Sequence, residues 1–424
     1  MRLRMFGATD RGLVRTSNQD AYFCDAEWGI AIVSDGMGGH KGGEKASQLT
    51  SDGLRNAFEA KSSINLEDIS THLDEALQLI NAEIRKHSRD NESLRGMGAT
   101  VNYLHFAGGH VAIGHAGDSR TYLIKAFLKP EGRLRYGMWQ LTIDHNVESF
   151  IERGLLVPGV DVPEGPLTER QKSRLTRGMG VVEDLKADLY YRKIEEGDVY
   201  LTCSDGLHGY VSDRDILQAL ISGPIGKSPE RLIKAAMQAG APDNVTVVVS
   251  VASEVSEPLL KCKGPFFEKA PYLAREPSGQ ISQVLTAEEI IKKWMAFEVS
   301  NDAEVCSSMG RWVFLQKRNK LFKAYPEFDK QVVRERLDQI APDSATSEIP
   351  TEARPSRRQA HSIRNSKSHE NLKAKSAALQ LPSQVTKSLN FKLGVILALV
   401  MLGTVAIVVI QLSEALRLLK LPIY

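Results

Sequence analysis

The residues in this sequence best suited to chemistry are five aspartates: Asp20, Asp35, Asp118, Asp205 and Asp243. Apolar runs lead into Asp35 (30–34), Asp118 (111–117) and Asp205 (199–204), and another, 245–251, follows Asp243. Carboxylates placed at strand ends meet wherever the strands converge. Two such charges about 4 Å apart repel by roughly 4 kcal/mol at an effective dielectric near 20, and only a proton or a cation relieves this. Any one of these residues alone reads as a turn or cap aspartate. Taken together, with glycine following Asp35 and Asp205, they read as a metal cluster.

An all-oxygen donor set of carboxylates, a backbone carbonyl and water suits a hard cation, magnesium or manganese, whereas zinc prefers nitrogen and sulfur. The sequence has no His/Cys set with zinc spacing. Two hard cations about 3.5–4 Å apart acidify a bridging water and clamp a phosphoryl group for in-line attack, with no nucleophilic side chain required.

At this point the motifs resemble a family. In order, the runs RTSNQD (15–20), DGMGGH (35–40), MGAT (97–100), GDSR (117–120), LTRGMG (175–180), SDGL (204–207) and DN (243–244) are similar to the motif series of the metal-dependent, PPM-type (type 2C) serine/threonine protein phosphatases, bacterial members above all. The resemblance covers residues 5–252. It implies that Asp35 bridges two metals, that the Gly36 carbonyl binds one of them, and that Asp205 and Asp243 bind the other. Asp20 then serves the second metal through water, and Asp118 shares a weaker third ion with Asp205. Arg15 falls where the family keeps an arginine that grips substrate phosphate, a task its bidentate fork suits better than lysine. Two positions depart from the eukaryotic pattern: Gln19 replaces a frequent Glu, and Met37 replaces a histidine proposed as general acid. The acid is then unassigned. His40 is a weak candidate, and His145 a similar one; a lone histidine in either setting is more often structural.

The elements that must position these groups are legible in part. Strand candidates at 29–34, 101–106, 111–116, 121–125, 199–204 and 245–251 are rich in β-branched and aromatic residues and bounded by Gly or Asp. Helical periodicity runs through Ala46, Leu49, Gly53, Leu54 and Phe58, and through Ile69, Leu73, Ala76, Leu77, Ile80 and Ile84. A third helix is punctuated by Ser228 as N-cap, Pro229 at its first position and Gly240 past its end. Strand pairs and helix pairs without strict alternation predict an α+β architecture. The resemblance sharpens this to a four-layer α-β-β-α sandwich with the metal site at one edge. Residues 145–175 fall where the family carries a flap over the site.

Composition bounds the remainder. Lys and Arg number 54 against 52 Asp and Glu, which gives no field for nucleic acid. Cys24, Cys203, Cys262 and Cys306 are scattered without disulfide or metal spacing, as in a reducing compartment. No secretory signal pattern opens the sequence. Residues 259–340 read as a small unassigned domain, with a capping box at Thr286 and Glu289 ahead of Ile290, Ile291, Trp294 and Phe297, and a strand at 311–315. Residues 341–390 form a basic linker poor in large apolar residues. Residues 393–413 are 21 uncharged, mostly apolar residues, long enough to cross a hydrocarbon core of about 30 Å, and 414–424 form a short tail. Nine Lys or Arg at 351–392 precede that run and only two follow it, so the positive-inside bias predicts a single-pass protein with its catalytic part in the cytoplasm.

The expectation is a manganese- or magnesium-dependent phosphatase acting on phosphoserine and phosphothreonine of proteins, a serine/threonine kinase or its substrates among them, at a membrane. A non-catalytic metal sensor or docking module, and a phosphatase of small phosphate esters, remain alternatives on sequence alone.

Overall fold

The computed structural model describes residues 2–38, 40–59, 66–128, 134–153, 167–252, 271–300 and 302–315. Two five-stranded antiparallel sheets form its centre. The first has the order β1 (Leu3–Asp10), β12 (Val245–Ala252), β11 (Asp198–Cys203), β8 (Arg120–Leu128), β9 (Leu134–Gln140). The second runs β10 (Asp188–Lys193), β7 (His110–Ala116), β6 (Val101–Ala107), β3 (Ile30–Ser34), β2 (Ala21–Asp25). A two-residue ladder, β4 (Gly36–Met37) with β5 (Gly98–Ala99), extends from the end of β3.

Period-two alternation sends both faces of the central strands into apolar layers. Ala31, Val33, Leu104 and Ile113 meet Leu123, Tyr200 and Val248 between the sheets. Ile30 and Ile32 turn outward, against Leu54 and Phe58 of α1 (His40–Phe58) and Leu73, Leu77, Ile80 and Ile84 of α2 (Leu66–Asp90). On the far side, Val199, Leu201, Cys203, Val247 and Val249 pack under helices α6 (Asp213–Ile221) and α7 (Ser228–Gln238). The layer order is therefore α-β-β-α, as expected, and Cys203 is a core residue. Three short helices lie between: α3 (Val147–Glu152), α4 (Glu169–Lys172) and α5 (Asp205–His208).

One expected cap is corrected. Ser228 is the first residue of α7 and not its N-cap: its hydroxyl donates to the Ile225 carbonyl at 2.6 Å, because a turn of 3-10 helix at Ile225–Lys227 already leads the chain in. Gly240 does end the segment, in a left-handed conformation at φ 96°.

Within the span 259–340, residues 271–300 and 302–315 form a three-stranded sheet, β13 (Tyr272–Arg275), β14 (Glu304–Ser307), β15 (Val313–Phe314), with helix α8 (Ala287–Met295). The Thr286–Glu289 capping box is present, and Ile290, Ile291 and Trp294 are buried, but Phe297 is 77% exposed. Leu273, Ile281, Cys306 and Trp312 join the apolar layer that holds Trp139 and Tyr190, so this unit shares its core with the sandwich. Among the described residues no helix is long and apolar enough to cross a membrane. The 341–390 linker, the 393–413 run and the tail lie outside the described residues, as do 154–166 of the expected flap.

Candidate active site

Five backbone segments deliver the aspartates to the same end of the two sheets. Asp35 leaves β3 and is held by Thr100, whose amide donates to the Asp35 carbonyl at 2.8 Å and whose hydroxyl accepts from the Asp35 amide at 2.9 Å. The Thr100 hydroxyl also bonds that of Ser119 at 2.7 Å, tying the Asp35 turn to the Asp118 loop. Gly117 enters that loop at φ 117°, with Thr100 so close that a Cβ would lie 2.6 Å from it. On the other side, His208 Nε2 donates to the Asp118 carbonyl at 3.0 Å.

Asp205 opens α5 directly beyond β11. Asn244, beside Asp243, organises the N-terminal loop: its Oδ1 accepts from the Gln19 amide (2.8 Å) and its Nδ2 donates to the Arg11 (2.8 Å) and Ser17 (2.9 Å) carbonyls. Ser204 donates to Asp20 Oδ2 at 2.9 Å and accepts from the Thr246 amide at 3.0 Å. Thus Asp20 is drawn against the ends of β11 and β12 from 184 residues away in sequence.

The electrostatics are those of an uncompensated acidic cluster. Burial, followed by the charges of Asp20, Asp205, Asp118 and Asp243, lifts Asp35 well above the carboxylate range. Burial and the neighbouring Asp205 and Asp243 raise Asp20 to about 7, despite hydrogen bonds from Thr246 and Ser204. Asp118 is raised by burial, Asp205 and Asp144, and Asp205 by burial and Asp243, against the opposing hydrogen bond with Asp35 and the charge of Arg15. Asp20 Oδ1 and Asp205 Oδ1 are buried acceptors without a hydrogen-bond donor. A buried carboxylate oxygen without a donor needs a proton or a cation. The oxygen-only donors fit magnesium or manganese. Among the described residues no three Asp, Glu, His or Cys side chains close around one point as a finished ligand cage; the aspartates interact across the cluster.

Arg15 stands at the mouth, its Nη2 2.7 Å from Asp243 Oδ2, with its side chain 46% exposed. With Nη2 on Asp243, the partly exposed guanidinium keeps further N–H donors for an anion. Gly36 is buried where a Cβ would lie 2.1 Å from the Gly43 carbonyl oxygen and 2.5 Å from that of Gln19, so only glycine fits.

The structure therefore brings together Asp20, Asp35, Asp118, Asp205, Asp243, Gly36 and Arg15. The His40 side chain lies outside the described residues. His145 is buried away from solvent, with Nε2 3.0 Å from Asp188 Oδ2 and Nδ1 accepting from the Gly117 amide at 3.2 Å, so it steadies the Asp118 loop from behind. Sequence reasoning gave no roles to Thr100, Ser119, Ser204 and Asn244. Their signal was position: each is a small polar residue inside one of the seven motif runs.

Known proteins of similar sequence and fold are phosphatases. The family model described as protein phosphatase 2C matches residues 13–132. The serine/threonine protein phosphatase PstP of Mycobacterium tuberculosis is 33% identical over 296 residues, 69% of this chain but 54% of PstP, so the chain spans about half the length of that relative. A crystal structure of the PstP catalytic domain in complex with two manganese ions is 34% identical, covering 60% of this chain and 99% of that one, at a TM-score of 0.48. Serine/threonine phosphatase Stp1 from Staphylococcus aureus matches at 29% identity and a TM-score of 0.50, over 60% of this chain and 96% of that one. Serine/threonine phosphatase stp of Listeria monocytogenes is 31% identical over 246 residues, which are 57% of this chain and 92% of the Listeria protein. A match of that identity across nearly the whole of a relative, joined to the aspartate set at the sheet ends, shows that this chain belongs to the protein phosphatase 2C family.

Proposed function

We propose that this chain is a metal-dependent protein phosphatase that hydrolyses phosphoserine and phosphothreonine on proteins. The observation that carries the reading is the buried cluster of mutually repelling aspartates, with donorless oxygens on Asp20 and Asp205 and a half-exposed arginine at its mouth. Two manganese or magnesium ions bound there would supply an activated water and neutralise the charge of a phosphoryl group.

The residues divide the remaining work. Asp35, Asp205 and Asp243 would hold the cations together with Asp20 and the Gly36 carbonyl, and Asp118 would serve a weaker site with Asp205. Arg15 takes the phosphate oxygens, with Asp243 fixing the guanidinium before substrate arrives. Thr100 and Asn244 hold the backbone of Asp35 and of the Arg15 loop, so that little reorganisation is left for the moment of reaction. No side chain acts as nucleophile in this scheme.

The same reading sets the protein at the cytoplasmic face of a membrane. Its support is the 21-residue uncharged run at 393–413 and the excess of Lys and Arg before it.

One experiment tests both parts. The full chain is expressed, cell fractions are separated, and phosphate release from phosphothreonine peptides is measured with manganese, with magnesium and with excess chelator. The expected outcome is metal-dependent release in the membrane fraction, reduced to the chelator level by Asp205→Asn with the fold intact by circular dichroism. Wild-type rates from Asp205→Asn would overturn the metal assignment, and activity confined to the soluble fraction would overturn the membrane location.

A further inference from the structure

Singly exposed apolar side chains are ordinary on any protein surface. Among the described residues, eight large ones are more than about a third exposed, and three of these flank the candidate active site: Leu13 at 63%, Val14 at 68% and Tyr210 at 47%. Leu13 and Val14 immediately precede Arg15. Tyr210 follows α5, the helix that Asp205 opens, and lies within electrostatic reach of Asp205, Asp243 and Arg15.

The loop that carries Leu13 and Val14 is fastened along its length. Asn244 bonds it at Arg11 and at Ser17, the Leu13 amide donates to the Ala241 carbonyl at 2.9 Å, and Gly12 takes φ 78° with the Asp243 carbonyl where a side chain would stand. Folding Leu13 and Val14 inward would break these bonds. The loop thus holds two exposed apolar side chains next to the arginine proposed to receive phosphate, and a third, Tyr210, follows the helix that Asp205 opens.

We infer that Leu13, Val14 and Tyr210 form a substrate subsite that receives apolar residues flanking the phosphorylated serine or threonine, so that the preferred substrates are phosphoprotein segments with leucine-like neighbours. This rests on the phosphatase reading above and deepens it. A phosphorylated segment gripped by Arg15 must lay its neighbouring side chains over this rim. An apolar neighbour gains from removing both surfaces from water, and a charged or amide neighbour does not. Because the rim is fastened in place, little ordering cost opposes that gain.

The test uses the full chain with manganese and two phosphothreonine peptides of equal length and charge, one with leucine and one with glutamine on both sides of the phosphorylated residue. The leucine peptide is expected to have a kcat/KM about tenfold higher, the low end of what an apolar contact of this size gives, and Leu13→Ser/Val14→Ser should bring the ratio to within about twofold of unity. Leu79→Ser, on α2 and 73% exposed, should leave the ratio unchanged. Each ratio comes from a single preparation, so a partly folded variant does not distort it. Equal kcat/KM values for the two peptides in the wild type, or a ratio that persists in the double variant, would overturn the subsite while leaving the phosphatase reading standing. Absence of metal-dependent release from either peptide would overturn both.

Discussion

At the scale of single residues, the site depends on how closely backbone approaches backbone. A Cβ on Gly206 would lie 1.9 Å from the Asn244 carbonyl oxygen. No real Cβ tolerates that separation, so a side chain there pushes the start of α5 away from the entry to β12. Asp205 and Asp243 sit one residue before Gly206 and Asn244, and the displacement opens the gap between their carboxylates. Gly206→Ala is therefore expected to weaken manganese binding, read by titration calorimetry, and to cost about 1–3 kcal/mol of stability, as overpacking does. Unchanged manganese affinity would show that the Asp205–Asp243 spacing is not set at this contact. Asp35, Asp118, Asp205 and Asp243 were legible as a set because each borders an apolar run, whereas Asp20 and Arg15 were legible only through the motif run 15–20 and the family it resembles. The roles of Thr100, Ser204 and Asn244 were not legible, since a small polar residue at a strand end looks the same whether it caps a turn or holds a ligand in place.

At the scale of elements, the six strands read from sequence, β3, β6, β7, β8, β11 and β12, are the interior strands of the two sheets. The four that escaped, β1, β2, β9 and β10, are the four edges. The physical reason is burial. Interior strands are covered on both faces and appear as continuous apolar runs, every residue of β12 and of β11 being buried, whereas β1 has no buried residue and β10 only two. One edge, β9, is met by the appended β13–β15 unit: the Met309 amide donates to the Met138 carbonyl (2.7 Å) and Trp312 Nε1 to that of Gln140 (2.7 Å). The lock on this contact is Glu304, paired with Arg275 of β13 and, at 2.6 Å, with Arg153 just after α3. The Arg275 guanidinium lies over Trp312 at 4.3 Å and Tyr190 at 4.8 Å. Burial alone would raise the Glu304 carboxyl, but the two arginines hold it below its ordinary range. Glu304→Ala leaves Arg275 buried without its anion and is expected to cost about 3–5 kcal/mol. At roughly 2–4 °C per kcal/mol for a domain of this size, the thermal midpoint should fall by about 6–20 °C. A shift under a degree in calorimetry would mean that the appended unit contributes little to the stability of the sandwich.

At the scale of the whole molecule, burial of titratable groups gives the protein a defined acid response. His105 and His115 lie in the body of the second sheet, and burial lowers them to about 4 and about 3, His145 lowering His115 further. Their unfolded value is about 6.5, so the unfolded chain takes up protons below that pH while the folded one does not. The stability they contribute is complete above pH 6.5 and is lost as pH falls, at about 1.4 kcal/mol per pH unit for each histidine. The aspartate cluster works in the opposite sense. Its raised values give stability at low pH that is lost as pH rises through the folded value, near 7 for Asp20, unless a cation holds the charges. The histidine contribution is therefore best read as a difference. Denaturant unfolding of His105→Phe between pH 6.5 and 4.5 should show a mean pH slope smaller than wild type by about 1 kcal/mol per unit, and equal slopes would mean that His105 becomes protonated in the folded state.

The sequence by itself determined the interior strands, the two long helices and four of the five aspartates, because each is written in contiguous residues: an apolar run, a 3.6-residue period, a carboxylate at a run's end; Asp20 came from its motif run. It also carried the family, through seven short runs kept in order. Only the tertiary structure decided that these carboxylates meet. Asp20 and Asp243 stand at opposite ends of the sandwich sequence, and mutual repulsion works against their convergence. The packing of three apolar layers is what holds them together. The fastening of the Arg15 loop by Asn244 and the attachment of the appended unit through Glu304 to Arg153 were likewise settled in three dimensions, since each depends on a partner more than a hundred residues away.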